Sequence, residues 1–171
     1  ILNQIAVING LARRVADIVR IIKPDLLHAH SPALNAIPAL IAARKASIPV
    51  IYEVRAFWED AAVDHGTSSE WGVRYRLTRG LENFALRRVD AITTICEGLR
   101  NDMIGRGIAP EKITTIPNAV DIEKFAASRP ANESLKEQFG LKGKRIIGFI
   151  GSFYAYEGLD ILLRALPIML L

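Results

Sequence analysis

Apolar positions along this chain switch between two periods. Ile5, Ile8, Ala12, Val15, Ile18, Val19 and Ile22 recur at helical spacing up to Pro24, which predicts an amphipathic helix. Residues 26–30 then read as a short strand. Pro32 and Pro38 flank the start of a second helix that runs to about residue 46, and residues 50–54 form the next apolar strand. Residues 55–71 keep no clear period and contain Gly66, Thr67, Ser68 and Ser69, which predicts a long loop. Tyr75, Leu77, Leu81, Phe84 and Leu86 support a long helix to about residue 88. A strand over 90–95, a helix over 97–104 stopped by Gly105 and Gly107, and a strand over 113–116 closed by Pro117 follow. Strands alternate with helices and are largely apolar on both faces. That is the pattern of an α/β fold, a doubly wound parallel sheet.

After Pro117 the alternation stops. Residues 118–144 hold Pro130 and a short charged helix over 132–139, for which Asn132 is the expected N-cap. A strand over 145–150, a loop over 151–158 and a helix over 159–171 read as the opening of a second α/β unit. The expected division is a first domain over 1–120, a linker over 121–143 and the start of a second domain over 144–171.

Composition narrows the picture. Half of the 171 residues are hydrophobic and 23% are charged, enough for a sizeable core. The single cysteine, Cys96, excludes an intrachain disulfide and a cysteine metal cluster. With no adjacent base evident, it is expected to be a small buried hydrophobe. A net charge of +4, from 22 basic and 18 acidic residues, gives no argument for a nucleic-acid partner. An isoelectric point near 9.4 is compatible with anionic ligands or an anionic membrane surface. No apolar run reaches the roughly 18–20 residues a membrane span needs, and no signal peptide is visible. The chain begins at Ile1 in a helical pattern and ends in an apolar run, so it reads as a fragment of a longer protein.

Candidate chemistry gathers in two cassettes, Lys23-Pro24-Asp25-Leu26-Leu27-His28-Ala29-His30-Ser31 and Pro49-Val50-Ile51-Tyr52-Glu53-Val54-Arg55-Ala56-Phe57-Trp58-Glu59-Asp60. Each is an apolar strand ending in titratable groups, and ligands of open α/β sheets bind outside the carboxyl ends of the strands. Strand alternation puts His28 and His30 on one face. They either line a substrate cleft or hydrogen-bond a neighbouring loop; a metal set with His65 is a weaker alternative that spacing alone does not carry. Glu53 and Arg55 share a face opposite Tyr52 and Val54. Together they could orient sugar hydroxyls or a phosphate, or form a buried structural ion pair. Trp58 and Trp71 bracket the long loop and could stack on sugar rings or simply pack. Gly148-x-x-Gly151-Ser152, between a strand and a helix, could present backbone N–H groups to an anion or be a plain tight turn.

These pieces together resemble the retaining GT-B glycosyltransferases of the family-four type. The resemblance spans the whole chain. It rests on the two cassettes, Val89-Asp90-Ala91-Ile92 with Cys96-Glu97, Ile116-Pro117-Asn118-Ala119-Val120-Asp121 with Phe125, and Gly148-Phe149-Ile150-Gly151-Ser152-Phe153 running to Gly158-Leu159-Asp160. Glu53-Val54-Arg55-Ala56-Phe57-Trp58 is similar to a subgroup that builds bacterial exopolysaccharide beside exosortase systems. The family implies two Rossmann-like domains, an acceptor-side first domain and a second that binds a nucleotide-sugar donor. It implies transfer to a glycan or lipid-linked acceptor, with no metal and no cofactor. The expected location is cytoplasmic, at or near the inner face of the membrane. Carried over residue by residue, His30 and Arg55 face the reacting centre as catalytic groups, His28 and Glu97 contact substrate, and Glu53 orients Arg55. Trp58 shapes acceptor choice, Asn118 sits at the hinge, and Gly151 and Ser152 approach the donor phosphates. Many members carry His in place of Arg55, and Arg and Lys in place of Ser152 and Glu157, so this chain lacks two usual cations for a leaving group that gains negative charge. The family's Glu-x₇-Glu element would lie beyond Leu171, so the fragment alone is expected to be inactive. A nucleotide-sugar 2-epimerase and a non-catalytic binding protein of the same plan are the rival readings.

Overall fold

The computed structural model describes residues 2–126, 131–154 and 157–169. The chain divides into two compact units, 1–118 and 119–171. The first is built on four parallel strands in sequential order: β1 (Leu27–His30), β2 (Val50–Val54), β3 (Ala91–Thr94) and β4 (Ile113–Thr115). Its helices are α1 (Leu2–Ile22), α2 (Ala33–Ala46), α3 (Trp58–Asp64), α4 (Val73–Arg88) and α5 (Glu97–Gly105), with a 3₁₀ turn over Pro110–Lys112. The expected parallel α/β sheet is present.

One face of the sheet is fully packed. Ala29, Tyr52, Ile92 and Ile113 lie in one row across the four strands, and all are buried. They join Val50 and Val54 in a core closed by Ala36, Leu40 and Ala43 of α2, Ala85 and Leu86 of α4, and Met103 of α5. The small residues on α2 let that helix lie close to the strands. The opposite face is not the second apolar layer that the strand composition predicts. Its rows are His28 with Ile51 and Ala91, and His30 with Glu53, Thr93 and Thr114, all of them half-buried or exposed. The strands thus alternate buried with open positions, and the open ones nearest the carboxyl ends of the strands, His30, Glu53, Thr93 and Thr114, are all polar.

The helices follow their sequence periods with two differences. The run over 55–71 is not wholly a loop, because Trp58–Asp64 is helical. This helix escapes periodicity because its buried residue is Glu59, not an apolar side chain. It is tied down by ion pairing of Glu59 with Arg106 and by the Tyr75 hydroxyl, which donates to Asp60 Oδ1 at 2.8 Å. On α4 only Tyr75, Glu82, Ala85 and Leu86 are buried, whereas Leu77, Leu81 and Phe84 stay exposed. Pro32 is the N-cap of α2; Pro38 lies inside the helix and is itself buried.

The second unit holds three helices among its described residues, α6 (Ile122–Ala126), α7 (Glu133–Gln138) and α8 (Leu159–Met169). Asn132 caps α7 as expected: its Oδ1 accepts from the Leu135 backbone N–H at 3.1 Å. The strand expected over 145–150 does not form. A strand needs a neighbour for its backbone groups, and among the described residues of this unit there is none. Pro130, the middle of the 151–158 loop and the last two residues of the expected final helix lie outside the described residues.

Candidate functional site

The parallel register of β1 and β2 sets His30 beside Glu53. Their junction is locked from both sides. The Ser31 backbone N–H donates to the Glu53 carbonyl at 2.8 Å, and the Arg55 N–H donates to Ser31 Oγ at 3.2 Å. Asn35, in the first turn of α2, donates from its side chain to the His30 carbonyl at 3.1 Å. The backbone that carries the candidate groups is therefore fixed although their side chains face solvent.

On this frame four predicted residues meet. His28 Nε2 and His30 Nδ1 lie 3.3 and 3.4 Å from one carboxylate oxygen, Glu53 Oε2. Arg55 Nε lies 3.8 Å from the other, Oε1. The two imidazoles stack with ring centroids 4.7 Å apart. Glu53 is mostly covered, whereas the His28, His30 and Arg55 side chains are 42, 55 and 56% exposed. Glu53 and Arg55 are thus not the buried structural pair. They form an open cluster of one anion, one cation and two imidazoles, able to accept protons, donate hydrogen bonds and balance negative charge. Thr93, next to Glu53 in the row, has an enclosed hydroxyl oxygen with no hydrogen-bond partner.

His65 caps the end of α3 and does not join the imidazole pair: among the described residues the set of close metal-type ligands is His28, His30 and Glu53. Cys96 is exposed, not buried, because it is the N-cap of α5, where the chain leaves β3 for the surface. Glu97 follows it in the first turn of α5, 3.8 Å from Arg100. Trp58 and Trp71 are both about half exposed. Trp71 is tilted against Tyr75 at 5.3 Å with the Arg79 guanidinium 5.5 Å from its ring centre, so it is partly packed. Trp58 opens α3 and presents its indole to solvent. Asn118 is exposed at the boundary between the two units.

Gly151 and Ser152 sit in the second unit. A side chain at Gly151 would place its Cβ 2.9 Å from the outer edge of the Phe149 ring, which would have to turn aside to admit it. Ser152 is exposed, and its carbonyl accepts from the Tyr154 N–H.

Beneath the open cluster lies a buried polar layer that sequence reasoning missed. Glu82 accepts from the Tyr52 hydroxyl at 2.5 Å and from the Ala33 N–H, at the start of α2, at 3.1 Å. Burial holds the Glu82 carboxyl above the usual carboxylate range, although both hydrogen bonds pull it down. Burial and then the neighbouring Glu82 push the Tyr52 phenol far up. The only sequence signal was a charge on the apolar stripe of α4, seven residues after Tyr75 and four before Leu86. Glu59 Oε1 accepts from Arg106 at 2.7 Å, and that guanidinium lies 3.6 Å over the Phe57 ring. Arg106, between two glycines after α5, gave no signal at all.

Residues 3–124 match the family model described as Glycosyltransferase Family 4. The chain belongs to that family. This family 4 chain is 34% identical over 121 residues to a 2-deoxystreptamine glucosyltransferase of Streptomyces kanamyceticus, covering 69% of the chain and 31% of the relative. It is 28% identical over 147 residues to a GDP-mannose-dependent alpha-mannosyltransferase of Mycobacterium tuberculosis, covering 86% of the chain and 37% of that protein. Among solved structures it superposes on Anabaena Alr3699/HepE in complex with UDP-glucose with a TM-score of 0.68 at 21% identity, over 91% of the chain and 39% of HepE. The fold is therefore of the GT-B type. The family 4 chain spans about a third of the length of these relatives. Among its described residues no helix is long and apolar enough to cross a membrane.

Proposed function

We propose that the protein carrying this chain is a retaining glycosyltransferase. It moves a sugar from a nucleotide-diphosphate donor to a glycan or lipid-linked acceptor in bacterial polysaccharide synthesis, the exosortase-associated exopolysaccharide subgroup included. The observation that carries the reading is the open His28–His30–Glu53–Arg55 cluster at the strand ends of a family 4 chain. Relatives named as a glucosyltransferase, a GDP-mannose-dependent alpha-mannosyltransferase and, in Escherichia coli, a putative colanic acid biosynthesis glycosyl transferase support it, as does the UDP-glucose bound to HepE. GDP-mannose is an α-linked donor, so a relative that makes α-mannosides keeps the anomeric configuration. That supports retention here.

In the proposed reaction the bond from the anomeric carbon to the diphosphate breaks and a bond to an acceptor hydroxyl oxygen forms. The hydroxyl proton leaves, and a nucleoside diphosphate is released. His30 faces the acceptor hydroxyl, and Arg55 faces the charge that grows on the leaving group, oriented by Glu53. His28, Glu97 and Trp58 contact substrate, with Trp58 offering an aromatic face to the acceptor. Asn118 lies at the hinge, and Gly151 and Ser152 approach the donor phosphates, where backbone N–H groups take the role of the missing cations at Ser152 and Glu157. No metal and no cofactor takes part. The site of action is cytoplasmic, with peripheral contact at the inner face of the membrane and no nucleic-acid partner.

The test is nucleoside diphosphate release by the full-length protein from a panel of UDP-, GDP- and ADP-sugars, with and without membrane lipid extract. Release from one donor that rises with extract supports the transferase and names the donor. Isomerised sugar without an acceptor makes the protein an epimerase. Folded protein with neither makes it a binding protein.

A further inference from the structure

We infer that His28, His30 and Glu53 form a binding site for one borderline divalent cation, Zn²⁺ foremost, on the open face of the sheet. The inference goes beyond the transferase reading, which needs no metal. In a tetrahedral zinc site with bonds of about 2.0–2.1 Å, neighbouring ligand atoms lie about 3.3–3.4 Å apart. The separations from Glu53 Oε2 to His28 Nε2 and to His30 Nδ1 are 3.3 and 3.4 Å. Two of the three edges between protein ligands already have the length a zinc ion imposes. All three atoms lie within 4.8 Å of one another, and the remaining edge joins two exposed rings that can turn toward each other.

Three further features fit. Two imidazoles and one carboxylate are a donor set suited to zinc and its transition-metal neighbours, not to Mg²⁺ or Ca²⁺. The ligands stand on adjacent strands whose register is fixed by the Ser31 N–H bond to the Glu53 carbonyl, so little is lost in ordering them. The exposed sides of His28 and His30 leave an entry path and a fourth position for water. Arg55 engages Oε1 at 3.8 Å and leaves Oε2 to the metal, but its positive charge opposes a second cation nearby. Arg55 should therefore weaken zinc binding, a sign that a purely hydrogen-bonded cluster has no reason to show. Bound zinc would occupy Glu53 and His30. In the proposed transferase it would act as an inhibitor, not a cofactor.

The experiment is titration of untagged protein with Zn²⁺ at neutral pH by calorimetry, repeated with Co²⁺ for its visible spectrum. We expect saturable binding of one ion per chain at micromolar concentration and the intense visible absorption of four-coordinate Co²⁺. Binding should weaken at least tenfold in His28→Ala, His30→Ala and Glu53→Gln, tighten several-fold in Arg55→Gln, and persist in Cys96→Ser, which removes the exposed thiol as a ligand. Circular dichroism checks that each variant is folded. No saturable binding overturns the inference. So does binding that survives all three ligand variants, or binding that Cys96→Ser abolishes. Nucleoside diphosphate release reports on the transferase reading separately, so the two can fail independently.

Discussion

The open cluster at the ends of β1 and β2 and the closed polar layer beneath it use the same residue types for opposite ends. Glu53, with His28, His30 and Arg55, keeps its partners at 3.3–3.8 Å and in reach of water. Glu59 and Arg106 are 0 and 1% exposed at 2.7 Å, and Glu82 commits its two oxygens to Tyr52 and Ala33. What separates them is the strand face and helix turn on which each falls, not the chemistry of the carboxylate. A carboxylate whose lone pairs are taken by the fold pins elements together, here α3 to the end of α5 and α4 to β2 and α2. One whose neighbours stay solvated is free to meet a ligand. Counting charged residues in the sequence cannot tell the two classes apart, but perturbing them can.

The largest effect is expected from Arg106→Ala. It leaves Glu59, whose second oxygen Oε2 is already buried without a partner, as an uncompensated charge in the core. Breaking a buried pair from one side costs about 3–5 kcal/mol, whereas replacing both partners by apolar residues of similar volume is often neutral or better. Urea unfolding of Arg106→Ala should show that loss, and the double variant Glu59→Leu/Arg106→Met should regain most of it. A single-variant cost below about 1 kcal/mol would move this pair into the surface class.

Next in size is Arg55→Ala, read in the full-length protein as the proposed transferase. Removing one preorganised group that meets charge developing in the transition state costs about 10²–10³ in turnover, or ~2.7–4 kcal/mol. The unfolding midpoint should not move, because the Arg55 side chain is 56% exposed and exposed pairs contribute little. Near-normal release of nucleoside diphosphate would take Arg55 out of the site.

A third prediction uses pH to sharpen the contrast. The folded protein holds the Glu82 proton more tightly than the unfolded chain, mainly through burial. The stability this gives is complete below the ordinary carboxyl value and is lost as pH rises through the elevated folded value. One such proton gives a slope of up to about 1.4 kcal/mol per pH unit within that window. Glu82→Gln should flatten the slope, so the stability difference between variant and parent changes across the window and is constant above it. Identical pH profiles for the two would show that Glu82 does not titrate with unfolding.

Most of the frame was legible because it rests on local periods. The four strands, α2, α4, α5 and the Asn132 cap each carry their own signal within a few residues. The four-residue cluster was legible too, since strand alternation alone puts His28 with His30 and Glu53 with Arg55; only their meeting required the register of β1 on β2. What stayed hidden depends on partners distant in sequence. Helix α3 turns its buried side to Arg106, 47 residues on, and shows no apolar stripe. Residues 145–150 have the composition of a strand, but among the described residues of their unit there is no neighbour to pair with. His65 carries the right chemistry for a third ligand, yet Glu53 holds that place because it is on the adjacent strand. Cys96 reads as a small hydrophobe but is exposed by its position as a helix cap.

The smallest expected effect makes the comparison most direct, because it applies one substitution to both classes of glutamate. Glu53→Gln removes the anion shared by His28, His30 and Arg55, yet each of those partners keeps access to water once it is gone. Exposed ion pairs contribute about 0–1 kcal/mol, so unfolding should shift by no more than that, and added salt should mask what shift there is. Under the proposed transferase reading, nucleoside diphosphate release by the full-length protein should fall, because Arg55 would lose the carboxylate that orients it. A stability loss as large as that of Arg106→Ala would mean that Glu53 is also committed to the fold. The cluster would then belong with the closed layer, and neither a sugar donor nor a metal ion could claim its carboxylate without unfolding what it holds.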